Sequence, residues 1–160
     1  MRERKVKGLG QPIIFLDFDG VLHPEFSHPS KYFSCLPHFE AVVRRVPGCE
    51  IVIASTWRQA HPLSELIKPF ASDIAERIVG VTPVARDIVE IPDSLLAYER
   101  EAECHAWMRA NERGYMPWIA LDDRAWLYRP FNRNVFLLDG SKGLQDTDIE
   151  PLVRRLLECT

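Results

Sequence analysis

The chain has 160 residues, 46% hydrophobic and 27% charged, with a formal net charge of −3. That length accommodates one globular domain with a real core and not two ordinary ones. High apolar content with little net charge excludes a disordered chain, the short apolar runs exclude a bilayer span, and mild acidity argues against strong non-specific nucleic-acid binding, which needs a concentrated basic surface.

Residues 1–11 are basic and precede no apolar segment of signal-peptide length, so they read as a flexible lead-in to a cytoplasmic protein. The first apolar run, IIFL (13–16), leads straight into Asp17 and Asp19, then Gly20. Residues 23–35 are expected to form a short flap. Leu36, Phe39, Val42, Val43 and Val46 fall on one helical face. IVIA (51–54) follows and ends in two hydroxyls, Ser55 and Thr56. Leu63, Leu66, Ile67 and Phe70 predict another helix, and IVGV (78–81) a third strand. Residues 99–111 are weak in period but rich in helix formers. WIAL (118–121) ends in Asp122 and Asp123, and VFLL (135–138) is the fifth apolar run. The closing helix carries Ile149, Leu152, Val153, Leu156 and Leu157 on one face, with Thr147 or Asp148 as its N-cap. The cysteines at 35, 49, 104 and 159 form no CxxC pair and are expected to be reduced thiols.

The apolar runs are continuous rather than alternating, as in strands covered on both faces. Strands alternating with helices predict a doubly wound parallel α/β sheet with helices on both sides. In such sheets ligands sit beyond the carboxyl ends of the strands. Three strand ends here carry reactive groups, and together they suggest a site. Clustered carboxylates need a proton or a cation. A hard, oxygen-lined site suits Mg²⁺, which keeps several waters and bridges to substrate phosphate. Asp17, Asp122 and Asp123 supply the charge, with the backbone carbonyl of Asp19 as a further ligand. A carboxylate can also act as nucleophile toward phosphorus, while a second one protonates the leaving oxygen and then activates water. The hydroxyls of Ser55 and Thr56 are candidates to hold a phosphoryl oxygen.

The stretch DFDGV (17–21) resembles motif I of the haloacid dehalogenase (HAD) superfamily. IVIAS (51–55) resembles its motif II and WIALDD (118–123) its motif IV. The loosest motif, a basic residue before the motif IV strand, is assigned to Arg100, with Lys68, Arg86 and Lys142 as substitutes. The resemblance implies that Asp17 is the nucleophile and Asp19 the general acid/base. It implies that Ser55 binds a phosphoryl oxygen, that Arg100 neutralises the phosphoryl group, and that Asp122 and Asp123 hold Mg²⁺ with Asp17. An acidic residue two after the nucleophile goes with phosphatases in this superfamily, so Asp19 favours phosphate ester hydrolysis. The intervals between the motifs are too short for a cap domain, which places the chain with the small capless members. STWR (55–58) is similar to motif II of small members of the superfamily and brings Thr56, Trp57 and Arg58 to the substrate side.

The expectation is a single-domain, Mg²⁺-dependent phosphomonoester hydrolase acting on a phosphorylated small molecule or a phosphorylated nucleic-acid end. One rival is a nucleic-acid end-processing phosphatase: LDDR (121–124) resembles the 3′-phosphatase domain of polynucleotide kinases. The other is a catalytically silent phosphate-binding or protein-interaction module. Trp107, Trp118 and Trp126 are expected in the core or on a sheet face.

Overall fold

The computed structural model describes residues 11–159. The lead-in at 1–10 lies outside the described residues. Five strands form one all-parallel sheet: β1 (Ile13–Leu16), β2 (Glu50–Ile53), β3 (Ile78–Val81), β4 (Trp118–Asp122) and β5 (Val135–Leu137). Their order is β3-β2-β1-β4-β5. The chain builds outward from β1 through β2 to β3, then crosses back to lay β4 on the other side of β1. The sheet therefore changes direction between β1 and β4, the position where α/β folds open a crevice for ligand.

Helices cover both faces. On one side, α1 (Leu36–Arg44) and α5 (Ile149–Glu158) pack with the short α2 (Leu63–Leu66) and α3 (Ser72–Ala75). Their apolar stripes close a large core with Ile14, Leu16, Ile51, Ile53, Ile119 and Leu121. On the other side, α4 (Glu99–Ala110) packs Cys104, Trp107 and Met108 on Ile13, Phe15, Val52 and Trp118. Successive strand residues point to opposite faces, so a run such as IIFL feeds both cores at once. This is why the central strands β1 and β4 are buried throughout, whereas the edge strands β3 and β5 are partly exposed.

Three local expectations are corrected. The pattern over 63–70 gives only one helical turn, because Pro69 interrupts it and the chain restarts at Ser72. Asp148 stands at the N-cap of the closing helix, but the helix is reached through a 3₁₀ turn and the Asp148 carboxylate accepts from the Gln145 N–H at 2.8 Å instead of making a cap bond. Trp126 is not a core residue but is 69% exposed, on the turn after β4. The four cysteines are free. Among the described residues, no helix is long and apolar enough to cross a membrane.

Candidate active site

The register that pairs Leu16 with Leu121 sets the next two residues, Asp17 and Asp122, side by side at the strand tips. The ladder runs one step further, with the Asp17 N–H donating to the Leu121 carbonyl at 3.2 Å. Asp123 follows directly. One carboxylate oxygen from each of Asp17, Asp122 and Asp123 lies within 4.8 Å of the others. Two glycines make the space. A Cβ at Gly20, whose φ is +78°, or at Gly140 would overlap the Asp123 carboxylate. Gly20 also makes the turn after β1, where its positive φ suits glycine.

Arg100, at the start of α4, enters from the second core. Its Nη1 donates to Asp122 Oδ2 at 3.0 Å and stands 3.5 Å from Asp17 Oδ1. Asp122 accepts two further bonds: Tyr128 donates its hydroxyl to Oδ2 at 2.9 Å, and the Arg124 N–H donates to Oδ1 at 3.1 Å. Asp17 accepts from the Phe18 N–H at 2.9 Å. Burial, then the neighbouring Asp122, push the Asp17 carboxyl up to about 8 against the pull of Arg100. Burial and Asp122 likewise raise Asp123 to about 6. Burial works against the charge of Arg100, but Asp122 and Asp17 beside it hold the guanidinium above its ordinary value. Arg100, with a weaker pull from Arg124 on Asp123, thus faces three carboxylates. Asp123 Oδ1 is buried with no hydrogen-bond partner among the described residues. An orphaned carboxylate oxygen inside an over-anionic cluster is unfavourable by itself and fits a hard divalent cation with oxygen ligands. The residues present suit Mg²⁺.

Asp19 keeps its carboxylate out of this cluster. Oδ2 accepts from the Trp57 indole N–H at 3.0 Å, and Oδ1 lies 2.7 Å from His23 Nε2. The fully buried His23 accepts the Phe33 N–H on Nδ1 at 3.3 Å. That bond assigns the imidazole proton to Nε2, so His23 donates to Asp19. Two ring donors therefore fix the plane of a carboxylate whose side chain is 41% exposed.

After β2, the Ser55 hydroxyl oxygen accepts from the Trp57 N–H at 3.2 Å and caps a short 3₁₀ turn. Thr56 is exposed and lines a small cavity of about 100 Å³ with Arg100 and Arg124. Arg58, expected beside the substrate, has a different set of partners. Its five N–H groups go to the Thr82, Ala54, Ser55 and Pro83 carbonyls and to Glu103, the last at 2.7 Å. No donor of Arg58 remains for a phosphate. It instead ties the loop after β2 to the loop after β3 and to α4. Glu103 also stands 3.6 Å from Arg100 Nε, so it orients the guanidinium that faces Asp17.

Four contributors to this arrangement escaped the sequence reading: Glu103, Tyr128, Gly140 and the indole donor of Trp57. For Gly140 a signal existed, since it closes the run after β5 as Gly20 closes that after β1. For Glu103 and Tyr128 no local signal exists, because their partners arrive from other elements.

An aspartate facing an acidic pair across the crossover between neighbouring parallel strands, with a basic residue on the intervening helix, is the arrangement of HAD hydrolase domains. The model of one family, described as the HAD domain in Swiss Army Knife RNA repair proteins, matches residues 13–149. The chain belongs to that family. Comparison with curated proteins and with solved structures found no match.

Proposed function

We propose that the protein is a Mg²⁺-dependent phosphomonoester hydrolase that works through an aspartyl-phosphate on Asp17. The observation that carries this reading is the convergence of Asp17, Asp122 and Asp123 within 4.8 Å around an unpartnered buried oxygen of Asp123. A bound Mg²⁺ supplies positive charge that ionises these carboxylates and neutralises the incoming phosphate. Asp17 and Asp123 would hold it, with the Asp19 carbonyl as a further ligand. Asp122 accepts three hydrogen bonds and is left with the least free ligand capacity.

Asp17 Oδ2, which accepts no hydrogen bond among the described residues, attacks phosphorus as the ester P–O bond breaks. Asp19 gives its proton to the departing oxygen. It then takes a proton from water, whose oxygen attacks the aspartyl-phosphate, and inorganic phosphate leaves with Asp17 restored. Arg100 and the Ser55 hydroxyl stabilise the phosphoryl oxygens, acting mainly by position and charge. Substitution Asp19→Asn is expected to slow turnover by about 10²–10⁴-fold.

The family description favours a second, narrower reading in which the ester is the phosphorylated end of an RNA strand. Turnover of 3′- and 5′-phosphorylated oligoribonucleotides, compared with sugar phosphates and free nucleotides in Mg²⁺, tests both. No preference for an oligonucleotide removes the narrower reading. Hydrolysis of nothing in the panel removes the phosphatase and leaves the phosphate-binding module.

A further inference from the structure

A cavity of about 270 Å³ lies between the loop after β1 and α2 and shares Trp57 with Asp19. Four rings, Phe18, Phe33, Trp57 and His61, line it together with Leu66, Pro69 and the exposed Glu65 and Lys68. Trp57 is the centre of the group. Its ring centroid lies 5.4 Å from Phe18, 5.6 Å from Phe33 and 5.9 Å from His61. The Phe18 and Phe33 contacts are edge-to-face, at 68° and 73°. Phe33 is held at φ +64°, a conformation few L-residues adopt. Such outliers persist where the surroundings over-determine them, often at ligand clamps. The same indole that lines the cavity donates its N–H to Asp19.

From these observations we infer that the cavity is the subsite for the nucleobase of the nucleotide whose phosphate enters the carboxylate site. The inference rests on the phosphatase reading and names its substrate class. Aromatic walls recognise flat π-systems and tolerate any base. The volume is below the roughly 300–1,000 Å³ of pockets for drug-sized ligands and suits one heteroaromatic ring system. The lining offers what a base edge needs: Glu65 accepts, Lys68 donates, and the two are paired at 2.9 Å with no net charge to favour an ionic ligand. The exposed imidazole of His61 adds a third polar contact. Trp57 sets the spacing. One edge of the indole binds the residue that protonates the leaving oxygen, and the ring walls the pocket. The sugar of a nucleotide makes the same connection between its phosphate ester oxygen and its base.

The test uses full-length Asp17→Asn protein with Mg²⁺, in which bound ligand is not turned over. Calorimetric titration compares nucleoside 3′- and 5′-monophosphates with the matching base-free ribose phosphates. The nucleotide of the correct linkage is expected to bind about tenfold or more tightly than its base-free counterpart, the scale of one base–aromatic stack. Adding His61→Ala, or Phe33→Gly, which suits the positive φ, should bring that ratio close to one. Equal affinity for both ligands in the parent protein overturns the inference, as does a preference that survives both substitutions. A phosphotyrosine peptide binding as tightly as the nucleotide overturns it too. If the wild-type protein hydrolyses no phosphoester, the phosphatase reading falls, while the affinity ratio still decides what the cavity binds.

Discussion

Removing the proposed nucleophile should make the metal-free protein more stable. The Asp17 carboxyl is raised from 3.8 to about 8 by burial and by Asp122. A carboxyl whose folded value lies above its unfolded one leaves stability intact below pH 4 and erodes it as pH rises toward 8. At about 1.4 kcal/mol per tenfold change in proton affinity, the ceiling is about 6 kcal/mol above pH 8. Asp17→Asn keeps the acceptor for the Phe18 N–H and the side-chain shape, but weakens the pairing of Arg100, which retains Asp122. A net gain of about 2–3 kcal/mol remains, or about 5–10 °C in midpoint for a domain of this size. Thermal unfolding in EDTA at about pH 4.5 and pH 8.5 reads it. The two proteins should melt together in acid and separate in alkali, with the variant higher. Mg²⁺ at the alkaline pH should raise the wild type more than the variant. A gap that does not change with pH, or a variant less stable at pH 8.5, would mean that the buried Asp17 charge does not destabilise the metal-free fold.

Three further outcomes follow from the same geometry. Because Mg²⁺ must displace protons held by Asp17 at about 8 and Asp123 at about 6, its affinity should rise between those pH values with release of protons. Calorimetry in buffers of different ionisation enthalpy detects this, and binding without proton release at pH 6.5 contradicts it. Trp57→Phe removes one of the two donors that hold Asp19. It should slow esters with poor alkyl leaving groups by about tenfold or more and spare activated aryl phosphates, which need no general acid; an equal loss on both would leave Trp57 a packing role only. Arg58→Ala removes the closest charge partner of the buried Glu103, which keeps the Ala85 N–H and Arg100 at 3.6 Å, and urea unfolding should show a loss of about 3 kcal/mol. A loss under about 1 kcal/mol would mean Arg58 is not the strut described.

The strands were legible because each apolar run feeds two cores and cannot be polar on either face. The meeting of Asp17 with Asp122 and Asp123 was legible for the same reason, since each carboxylate marks the point where a buried run stops. Helix α4 was read only weakly, and the cause is physical. Its buried residues include Arg100, Glu101 and Glu103 beside the apolar Cys104, Trp107 and Met108. Arg100 serves Asp122, Glu103 serves Arg58, and Glu101 binds Arg129 and Asn132. A helix that holds a charged site against the sheet loses the amphipathic signature that would announce it. Arg58 illustrates the converse. Its place beside motif II gives an arginine near phosphate, but whether its donors are free depends on carbonyls at Thr82 and Pro83, which no local pattern foretells. Trp126 was placed inside on hydrophobicity alone, and the turn that Arg124 and Tyr128 anchor to Asp122 lifts it into solvent.

The most direct test of the account is a crystal structure grown with Mg²⁺ and beryllium fluoride. One ion is expected, held by Asp17 and Asp123 beside Asp122, with carboxylate oxygens at about 2.0–2.1 Å, and a beryllium fluoride group bonded to Asp17 facing Arg100 and Ser55. An ion bound elsewhere, or beryllium fluoride attached to another residue or to none, would contradict it.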